Sequence, residues 1–400
     1  MKKLLILGGS KYIIPVIKKA HKLGIFVITC DYLPNNYAHA FSDKYFNISI
    51  TDKDSILSMA KKEKIDGILS FACDPGVVTA SYVAEKMHLP NSGPHESVCL
   101  LQNKYLFRTF LKEHGFNVPF FEKYNDIESA LNSCHNFPFP VIVKPTDSAG
   151  SKGVSRVDSL EQLEKALINA FNVSFKKEVI IEEFICFKNN PSDADSFLFD
   201  GELLYFGSDS QLFDNNSSNP YAPAAYYWPS TIDNTNLIVL RNELKRLLSL
   251  LRMKTAIFNV EIRESVSGIP YIMEVSPRGG GNRLSEMIEH GTGQDIITEL
   301  IKYSVGEKIN CNIRQENFLP GWCEIVLHSN TEGVFSRLEI SNSLQKKIIE
   351  SDVWVKSGDK ISGFNGANCT IGTLILKFET HEEMLSVLRN IDKYVKVKLK

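Results

Sequence analysis

The sequence lacks the cysteine and histidine patterns that mark zinc sites and disulfide frameworks. Its eight cysteines are far apart, no two have the C-x-x-C spacing, and its nine histidines are scattered. A chain of 400 residues can bury enough apolar surface to fold without disulfide bonds. We therefore expect free thiols in a reducing compartment, the cytoplasm.

Long apolar runs and an excess of one charge are also missing. No stretch approaches the roughly 18 apolar residues of a transmembrane helix, and the opening MKKLLILGGS has too few apolar residues for a secretory signal. Lys and Arg total 45 against 47 for Asp and Glu, a formal net charge of −2. We expect no membrane partner and no nucleic-acid partner, because dedicated nucleic-acid binders usually carry a basic excess.

The first hundred residues alternate short apolar runs with an amphipathic pattern. Strands are predicted at 4–7, 25–30 and 67–71, with a helix at about 13–21 after the first strand. This alternation predicts an α/β, Rossmann-like N-terminal domain built on a parallel sheet. The turn Gly8-Gly9-Ser10 lacks the full G-x-G-x-x-G of a dinucleotide fingerprint, and a plain strand-to-helix turn is the preferred interpretation.

Beyond residue 140, strand-like runs dominate, at 141–144, 179–182, 197–199 and 203–206. Residues 189–235 are rich in Asn, Ser, Pro and Asp, and are predicted to form long loops over a sheet. A strong amphipathic pattern predicts a helix over 237–251. At 395–399, Val and Leu alternate with Lys, which predicts a half-buried edge strand.

The segment VIVKPTDSAGSKGV, residues 141–154, joins an apolar strand to a flexible loop. The strand delivers Lys144, and glycines let backbone N–H groups converge on an anion. The segment is not a Walker loop, which needs G-x-x-x-x-G-K-[ST]. A phosphate cradle and a flexible hairpin both fit the pattern. The small residues of the loop are Ser148, Ala149, Gly150, Ser151 and Gly153.

The segment VIIEEFI, residues 179–185, runs from β-branched residues into two acids and two apolar residues. These last four residues are Glu182, Glu183, Phe184 and Ile185. An adenine ring needs an apolar slot with backbone N–H and C=O groups at its edge, which a strand becoming a linker supplies. An ordinary sheet strand is the alternative interpretation.

The segment FNVEIRESVSGIPYIMEVSPRGGG, residues 258–281, predicts a β-hairpin with Ser267 and Gly268 at the centre of its turn. That register places Glu261 opposite Glu274. Like charges directly opposite each other destabilise a strand pair, so the two carboxylates require a cation. Oxygen ligands without Cys or His suggest Mg²⁺.

The same register places Asn259 opposite Ser276, on the face that carries the two acids. Arg278 and three glycines follow the second strand directly. An arginine and free backbone amides beside a metal ion suit a developing anionic transition state.

With these motifs in order, the first 300 residues resemble the ATP-grasp superfamily, and specifically its carboxylate–amine ligases. The resemblance implies a Rossmann-like N-terminal domain, a two-lobed ATP-grasp fold and a small C-terminal β-rich region. It implies α/β and α+β architecture, with boundaries at 1–100, 101–305 and 306–400. The ATP lid lobe would cover about 120–190.

The resemblance also implies roles for individual residues. Lys104 and Lys144 would contact ATP phosphates, under a lid containing Ser148, Gly150, Ser151 and Gly153. Adenine would meet the segment Glu182, Glu183, Phe184 and Ile185. Mg²⁺ or Mn²⁺ would bind Glu261, Glu274 and, in this chain, Asn259 or a water held by Ser276. Arg278 would stabilise an acyl-phosphate and its tetrahedral adduct, with Gly280, Gly281 and Asp74 near the substrate.

Two positions depart from the family pattern. The usual metal-binding Asn is replaced by Ser276, and the usual ribose acid after the hinge is missing. Asp193 or Asp195 is the expected replacement for that acid.

The family chemistry is activation of a carboxylate by ATP, followed by attack of an amine on the acyl-phosphate. We expect small-molecule carboxylate and amine partners, with an amino acid preferred and a homodimer left open. A purine-biosynthesis ligase of the phosphoribosylglycinamide synthetase type is the main alternative. An ATP-binding module without ligase activity is another.

Overall fold

The computed structural model describes residues 1–148, 150–309 and 311–400, and Ala149 of the predicted phosphate loop lies outside the described residues. Its strands are β1 Lys3–Leu7, β2 Phe26–Cys30, β3 Lys44–Phe46, β4 Gly67–Ser70, β5 Phe121–Tyr124, β6 Val141–Pro145, β7 Ser155–Val157, β8 Val179–Glu183, β9 Ser192–Phe199, β10 Glu202–Tyr205, β11 Ser210–Phe213, β12 Pro223–Trp228, β13 Ala256–Glu264, β14 Pro270–Ser276, β15 Trp322–Leu327, β16 Gly333–Ile340, β17 Ile348–Val353, β18 Lys360–Ile361, β19 Gly372–Lys377 and β20 Val395–Leu399.

The α-helices are α1 Ile14–Lys22, α2 Lys53–Glu63, α3 Asp74–Lys86, α4 His95–Leu101, α5 Lys104–Glu113, α6 Ile127–Asn132, α7 Leu160–Val173, α8 Asn234–Leu250, α9 Leu284–Thr292, α10 Ile296–Ser304, α11 Asn342–Gln345 and α12 His381–Leu388. Short 3₁₀ turns occur at Lys11–Ile13, Tyr37–Phe41, Cys134–Asn136, Ala367–Cys369 and Ile391–Lys393. None of the described helices is both long enough and apolar enough to cross a membrane.

The chain forms two compact units. One contains Met1–Lys123, Ala194–Gly207 and Asn234–Glu316, and the other contains Tyr124–Asp193, Ser208–Asp233 and Asn317–Lys400. The chain therefore passes between the units several times. The predicted N-terminal domain and the hairpin lie in the same compact unit. The three-domain boundaries at 1–100, 101–305 and 306–400 stay a prediction.

The first unit begins with a parallel sheet of order β3-β2-β1-β4. Leu4–Leu7 of β1 is fully buried, because helices cover both faces of such a sheet. The predicted Rossmann-like α/β arrangement is confirmed, and β3 is an additional edge strand. A second sheet, β10-β9-β13-β14, carries the predicted hairpin as β13 and β14.

The second unit contains three sheets. Their orders are β5-β8-β6-β7, with β5 beginning at the boundary between the units, β11-β12-β15-β19-β17, and β18-β16-β20. The five-stranded sheet packs one face against an apolar core that includes Leu374, Leu376 and Phe378. The predicted edge position of β20 is confirmed.

The predicted strand-like runs at 197–199 and 203–206 fall in β9 and β10, but the prediction of long loops over the rest of 189–235 was wrong. This region contains β9, β11 and β12, and it also contains β10 and the start of α8. Its polar composition concealed the strands because several polar side chains are buried with hydrogen-bond partners. Ser192, for example, is 0% exposed and its Oγ accepts a hydrogen bond from the backbone N–H of Asp209 at 3.0 Å.

Candidate active site

The hairpin places its two acids on one face, as predicted. Glu261 is paired with Glu274, and Asn259 with Ser276, in the antiparallel register of β13 and β14. Glu261, Glu274 and Asn259 are partly exposed, whereas their neighbours Val260 and Val275 are buried. The face that carries the acids is therefore the accessible face of this strand pair.

The turn that produces this register differs from the predicted one. Ser265 and Ile269 close a three-residue loop, in which the N–H of Gly268 donates to the carbonyl of Ser265 at 2.8 Å. Gly268 has φ +78, a conformation that favours glycine. Ser267 and Gly268 are therefore not the central turn pair, and this part of the prediction was wrong.

A β-bulge restores the predicted pairing. Near the turn, Ile262 faces Ile272, which is one residue out of step with the predicted register. The register shifts between Glu261 and Ile262, with Met273 as the extra residue on β14. Without this bulge Glu261 would face Met273, and Glu274 would turn to the other face of the strand pair.

Each acid already has a side-chain cation beside it. Arg263, two residues after Glu261 on the same face, donates to its Oε1 from Nε at 3.2 Å and from Nη2 at 2.8 Å. Lys104 Nζ lies 3.1 Å from Glu274 Oε2. Within the described residues, no group of three or more His, Cys, Asp and Glu side chains is placed to hold a metal ion. A divalent cation would therefore fit these two carboxylates with further oxygen ligands from a polar neighbour, water or phosphate.

Ser276 does not present its hydroxyl as an open ligand. It is 1% exposed, its Oγ accepts from Gln102 Nε2 at 2.9 Å, and it donates to Asp74 Oδ1 at 2.9 Å. The predicted metal-site role of Ser276 does not fit these contacts. Asn259 fits better, because its Nδ2 donates to Asp195 at 3.2 Å and its amide oxygen is the acceptor available to a cation.

Arg278 is clamped by Asp74 at the start of α3. Its Nε donates to Oδ1 and its Nη2 to Oδ2, both at 2.8 Å. Burial would raise the pKa of the Asp74 carboxyl, but the opposing guanidinium and the Ser276 hydroxyl lower it below its usual value. The contacts of Asp74 are therefore those of a residue that orients Arg278, rather than of the predicted substrate ligand.

The three glycines after Arg278 have different environments. A Cβ on Gly279 would lie 2.2 Å from the ring of Phe71, and one on Gly280 would lie 2.9 Å from Asp195 Oδ1. A Cβ on Gly281 would meet no atom within 4 Å. Gly279 and Gly280 are thus required by close approach, which explains the first two glycines of the motif.

Asp195 anchors this glycine segment from inside the unit. It is 0% exposed and accepts from the Gly280 N–H at 2.8 and 3.0 Å, from the Ser285 hydroxyl and from Asn259. Burial raises its pKa to about 6, against the lowering effect of the hydrogen bonds from Ser285 and Gly280. The Gly280 N–H is therefore engaged by a carboxylate, which does not fit its predicted use for substrate.

The two expected ribose acids lie in different settings. Asp195 is enclosed by its own unit and does not fit a ribose ligand. Asp193 is partly exposed, and its N–H donates to Asp209 Oδ1 at 2.8 Å. Of the two, only Asp193 keeps the exposure that a ribose contact needs.

In the second unit, Lys144 forms a buried ion pair. Its Nζ lies 2.6 Å from Oε2 of Glu182, which is 1% exposed. The two residues lie on neighbouring strands, where Lys144 is paired with Ile180 and Glu182 with Ile142. The predicted phosphate lysine and the predicted hinge acid are thus brought together.

The predicted phosphate loop adopts a strained, glycine-dependent path. Gly150, Ser151 and Gly153 have φ values of +68, +58 and +72. Ser148 Oγ donates to the carbonyl of Lys152 at 2.9 Å, and Ser151 Oγ donates to the carbonyl of Tyr221 at 3.3 Å. Glycine at two of these three positions permits the left-handed path without a Cβ penalty.

The predicted adenine segment ends β8. Glu183 is paired with Val141, and the Phe184 N–H donates to the carbonyl of Pro140 at 2.9 Å. Phe184 therefore offers no free N–H to a base. Its ring lies under the guanidinium of Arg156, 4.3 Å from the ring centroid, and Ile185 is buried.

Sequence reasoning missed two residues of this site. Arg263 could have been found, because residues two apart on a strand share a face with Glu261. Gln102 carried no local signal. It ends α4 and reaches Ser276, which is 174 residues away in the chain.

Comparisons with known proteins show what this fold is similar to. A family model described as "D-ala D-ala ligase C-terminus" matches residues 110–190. The L-amino acid ligase from Bacillus licheniformis superposes with a TM-score of 0.81 at 18% identity, covering 100% of this chain and 99% of that one. The phosphoribosylglycinamide synthetase from Anaerococcus prevotii superposes with a TM-score of 0.76 at 21% identity, covering 100% of both chains.

The chain has the ATP-grasp fold. The predicted fold class is thereby confirmed, and the resemblance is confirmed at the level of the fold. The carbamoyl phosphate synthase large chain of Clostridium beijerinckii is 24% identical over 296 residues, which cover 73% of this chain. The chain spans only 27% of that relative's length. These similarities establish the ATP-grasp fold, and the residues described above carry the proposal for activity.

Proposed function

We propose that this ATP-grasp protein is an ATP- and Mg²⁺-dependent ligase that activates a carboxylate as an acyl-phosphate and joins it to an amine. The observation that carries the proposal is the direct pairing of Glu261 with Glu274 on the accessible face of the hairpin. Glu274 stands two residues before Ser276 and four before Arg278. Two opposed carboxylates destabilise a strand pair unless cations neutralise them.

The residues of the first unit would hold the reacting phosphate. Glu261, Glu274 and the Asn259 amide oxygen would ligate the metal ion, with Lys104 close to Glu274. When bound, Mg²⁺ supplies charge neutralisation and orientation of the phosphate oxygens. Arg278, oriented by Asp74, would stabilise the negative charge that develops on the acyl-phosphate and on its tetrahedral adduct.

The residues of the second unit would bind the nucleotide. Lys144 would contact a phosphate, and the loop containing Gly150 and Gly153 would close over it and exclude water. The end of β8 at Glu183 and Ile185 would supply the edge of the adenine slot. Asp193 is the remaining candidate for the ribose contact.

The reaction would proceed in two displacements. A carboxylate oxygen attacks the γ-phosphorus, the bond to the β,γ-bridging oxygen breaks, and ADP leaves. The amine nitrogen then attacks the acyl carbon, the acyl C–O bond breaks, and phosphate leaves while the nitrogen loses a proton. The chain needs no nucleophilic Ser or Cys for this sequence, since positioning and charge neutralisation do the work.

An amino acid is the preferred carboxylate, and the L-amino acid ligase similarity over the full chain supports this choice. The similarity to phosphoribosylglycinamide synthetase supports the purine-type alternative. The seven cysteines whose side chains the structure describes are free thiols, and the cytoplasm is the proposed compartment. A homodimer remains an option for the assembly.

The decisive experiment follows an isotope from the carboxylate to phosphate. Purified protein, MgATP and pools of amino acids labelled with ¹⁸O in the carboxylate should yield ADP and ¹⁸O-containing phosphate, detected by ³¹P NMR. Glu274→Gln should abolish the transfer, whereas Glu339→Gln, at a side chain on β16 that is 39% exposed, should leave it intact. ATP binding without ADP release in any amino-acid or sugar-phosphate pool would favour a non-catalytic module.

A further inference from the structure

The position where the ATP-grasp pattern has a metal-binding Asn carries a connected polar chain instead. Gln102 donates to Ser276 Oγ, Ser276 donates to Asp74 Oδ1, and Arg278 donates to both oxygens of Asp74. The four distances lie between 2.8 and 2.9 Å. These hydrogen bonds link the end of α4 to Arg278, which follows β14.

The hydrogen-bonding capacity of a serine hydroxyl decides what Ser276 can do. A hydroxyl has one proton, and Ser276 gives it to Asp74. The oxygen also accepts from Gln102, and the residue is 1% exposed. One lone pair of the oxygen is left over, but at 1% exposure a metal ion would reach it only by displacing one of these buried partners, which is costly.

Asp74 benefits from this third donor. Arg278 occupies both carboxylate oxygens in a bidentate pair, whose two parallel bonds constrain the guanidinium plane. Ser276 adds a bond to Oδ1 and so restricts rotation of the carboxylate. Gln102 in turn restricts the hydroxyl, since the hydroxyl must accept from the amide while it donates to the acid.

We propose that Ser276 and Gln102 are positioning residues that hold Asp74, and through it Arg278, in one orientation, and that Ser276 is not a metal ligand. This inference rests on the proposed ligase function for the role of Arg278. Its structural part, the loss of a metal ligand and the gain of a clamp, does not depend on which substrate is used.

The test uses three single variants of the full chain. Ser276→Ala and Gln102→Leu each remove one link of the polar chain. Ser304→Ala removes another buried hydroxyl, which donates to the carbonyl of Leu300 within a helix, and serves as the matched control. Thermal unfolding checks that each variant folds. If Ser276→Ala does not fold, Gln102→Leu still tests the polar chain.

Metal binding separates the two roles of Ser276. Mn²⁺ binding is measured by the EPR signal of the free ion, without substrate turnover. We expect the Mn²⁺ Kd of Ser276→Ala to stay within about twofold of wild type, because no ligand is lost. An increase of tenfold or more in Kd would identify Ser276 as a ligand and overturn the proposal.

Orientation of Arg278 is read directly. Its Nε–H resonance in a ¹H–¹⁵N spectrum is assigned by its loss in Arg278→Lys. We expect this resonance to shift or broaden in Ser276→Ala and Gln102→Leu, and to stay in place in Ser304→Ala. An unchanged resonance in both Ser276→Ala and Gln102→Leu would overturn the positioning role, whether or not a substrate has been found.

Kinetics test the link to catalysis. With an active substrate pair, we expect kcat to fall about 10- to 100-fold in Ser276→Ala and Gln102→Leu, while the KM for MgATP changes less than about twofold. A rise in the KM for MgATP without a fall in kcat would contradict the assignment. Absence of turnover in wild type would instead count against the ligase function, and the Mn²⁺ and NMR results would still decide the structural proposal.

Discussion

Arg263 binds Glu261 from two residues farther along the same strand, through two guanidinium nitrogens that share a single carboxylate oxygen. The side chains are 21% and 31% exposed, so water screens the pair only in part. The second acid of the hairpin, Glu274, is held by Lys104. Without a metal ion, the acidic pair is therefore neutralised by two separate side chains, and a divalent cation must compete with them.

Arg263→Gln should strengthen metal binding in the absence of nucleotide. Without the guanidinium, no positive charge of residue 263 competes with the metal ion for Glu261. We therefore expect the Mn²⁺ Kd, measured by EPR, to fall about two- to fivefold. Arg337→Gln is the matched control, because Arg337 pairs with Glu339 two residues away on β16 in the same manner. Equal affinities in wild type and Arg263→Gln would show that the pair does not oppose the metal.

Two glycines of the triplet should differ in their tolerance of alanine. Gly279→Ala places a methyl group 2.2 Å from the Phe71 ring, and we expect it to lower the free energy of unfolding by about 1–3 kcal/mol. Gly281→Ala meets no atom within 4 Å and should change it by less than about 0.5 kcal/mol. Urea unfolding of both variants checks this. Similar losses at the two positions would contradict the close approach to Phe71.

The ion pair of Lys144 and Glu182 should behave as one unit. Lys144→Met leaves the Glu182 carboxylate buried without this cation, and we expect a loss of about 3 kcal/mol in the free energy of unfolding. Glu182→Gln in the same chain should recover part of that loss. A double-mutant cycle from urea unfolding measures the coupling, and strictly additive single effects would refute it.

The cysteines should differ in reactivity with pH. Burial raises the pKa of Cys30 to about 12 and that of Cys73 to about 11. The thiolate is the nucleophile, so at pH 8 only about one Cys30 thiol in ten thousand is reactive. Exposed Cys186 should be alkylated first by iodoacetamide, as followed by peptide mass spectrometry. Labelling of Cys73 should rise with pH up to about 11, and early labelling of Cys30 in folded protein would contradict its burial.

Local patterns were enough for the parallel N-terminal sheet and for the acidic hairpin. Leu4–Leu7 is a continuous apolar run, and such a run reads as a buried strand because parallel sheets are covered on both faces. The prediction of loops over 189–235 was wrong for a related reason. Polar residues such as Asp195 are buried there with distant hydrogen-bond partners, and composition alone assigns such residues to loops.

The pairing of Glu261 with Glu274 was predicted correctly from an incorrect turn. A loop one residue longer and a bulge at Met273 offset each other, and neither is visible in the alternation of residues. The prediction succeeded because the apolar residues on the opposite face had to be buried in either case, and burial selects the face.

The order of residues along the chain establishes which side chains are present for phosphate and metal chemistry. Their local periodicity establishes which face of each strand they occupy. Packing of distant segments determines which of these side chains already have hydrogen-bond partners. Ser276 meets Gln102 and Asp74, and Asp195 meets Gly280, across separations of 85 to 202 residues. Hydrogen bonds of that range depend on how strands and helices pack, and no short segment of the chain encodes them.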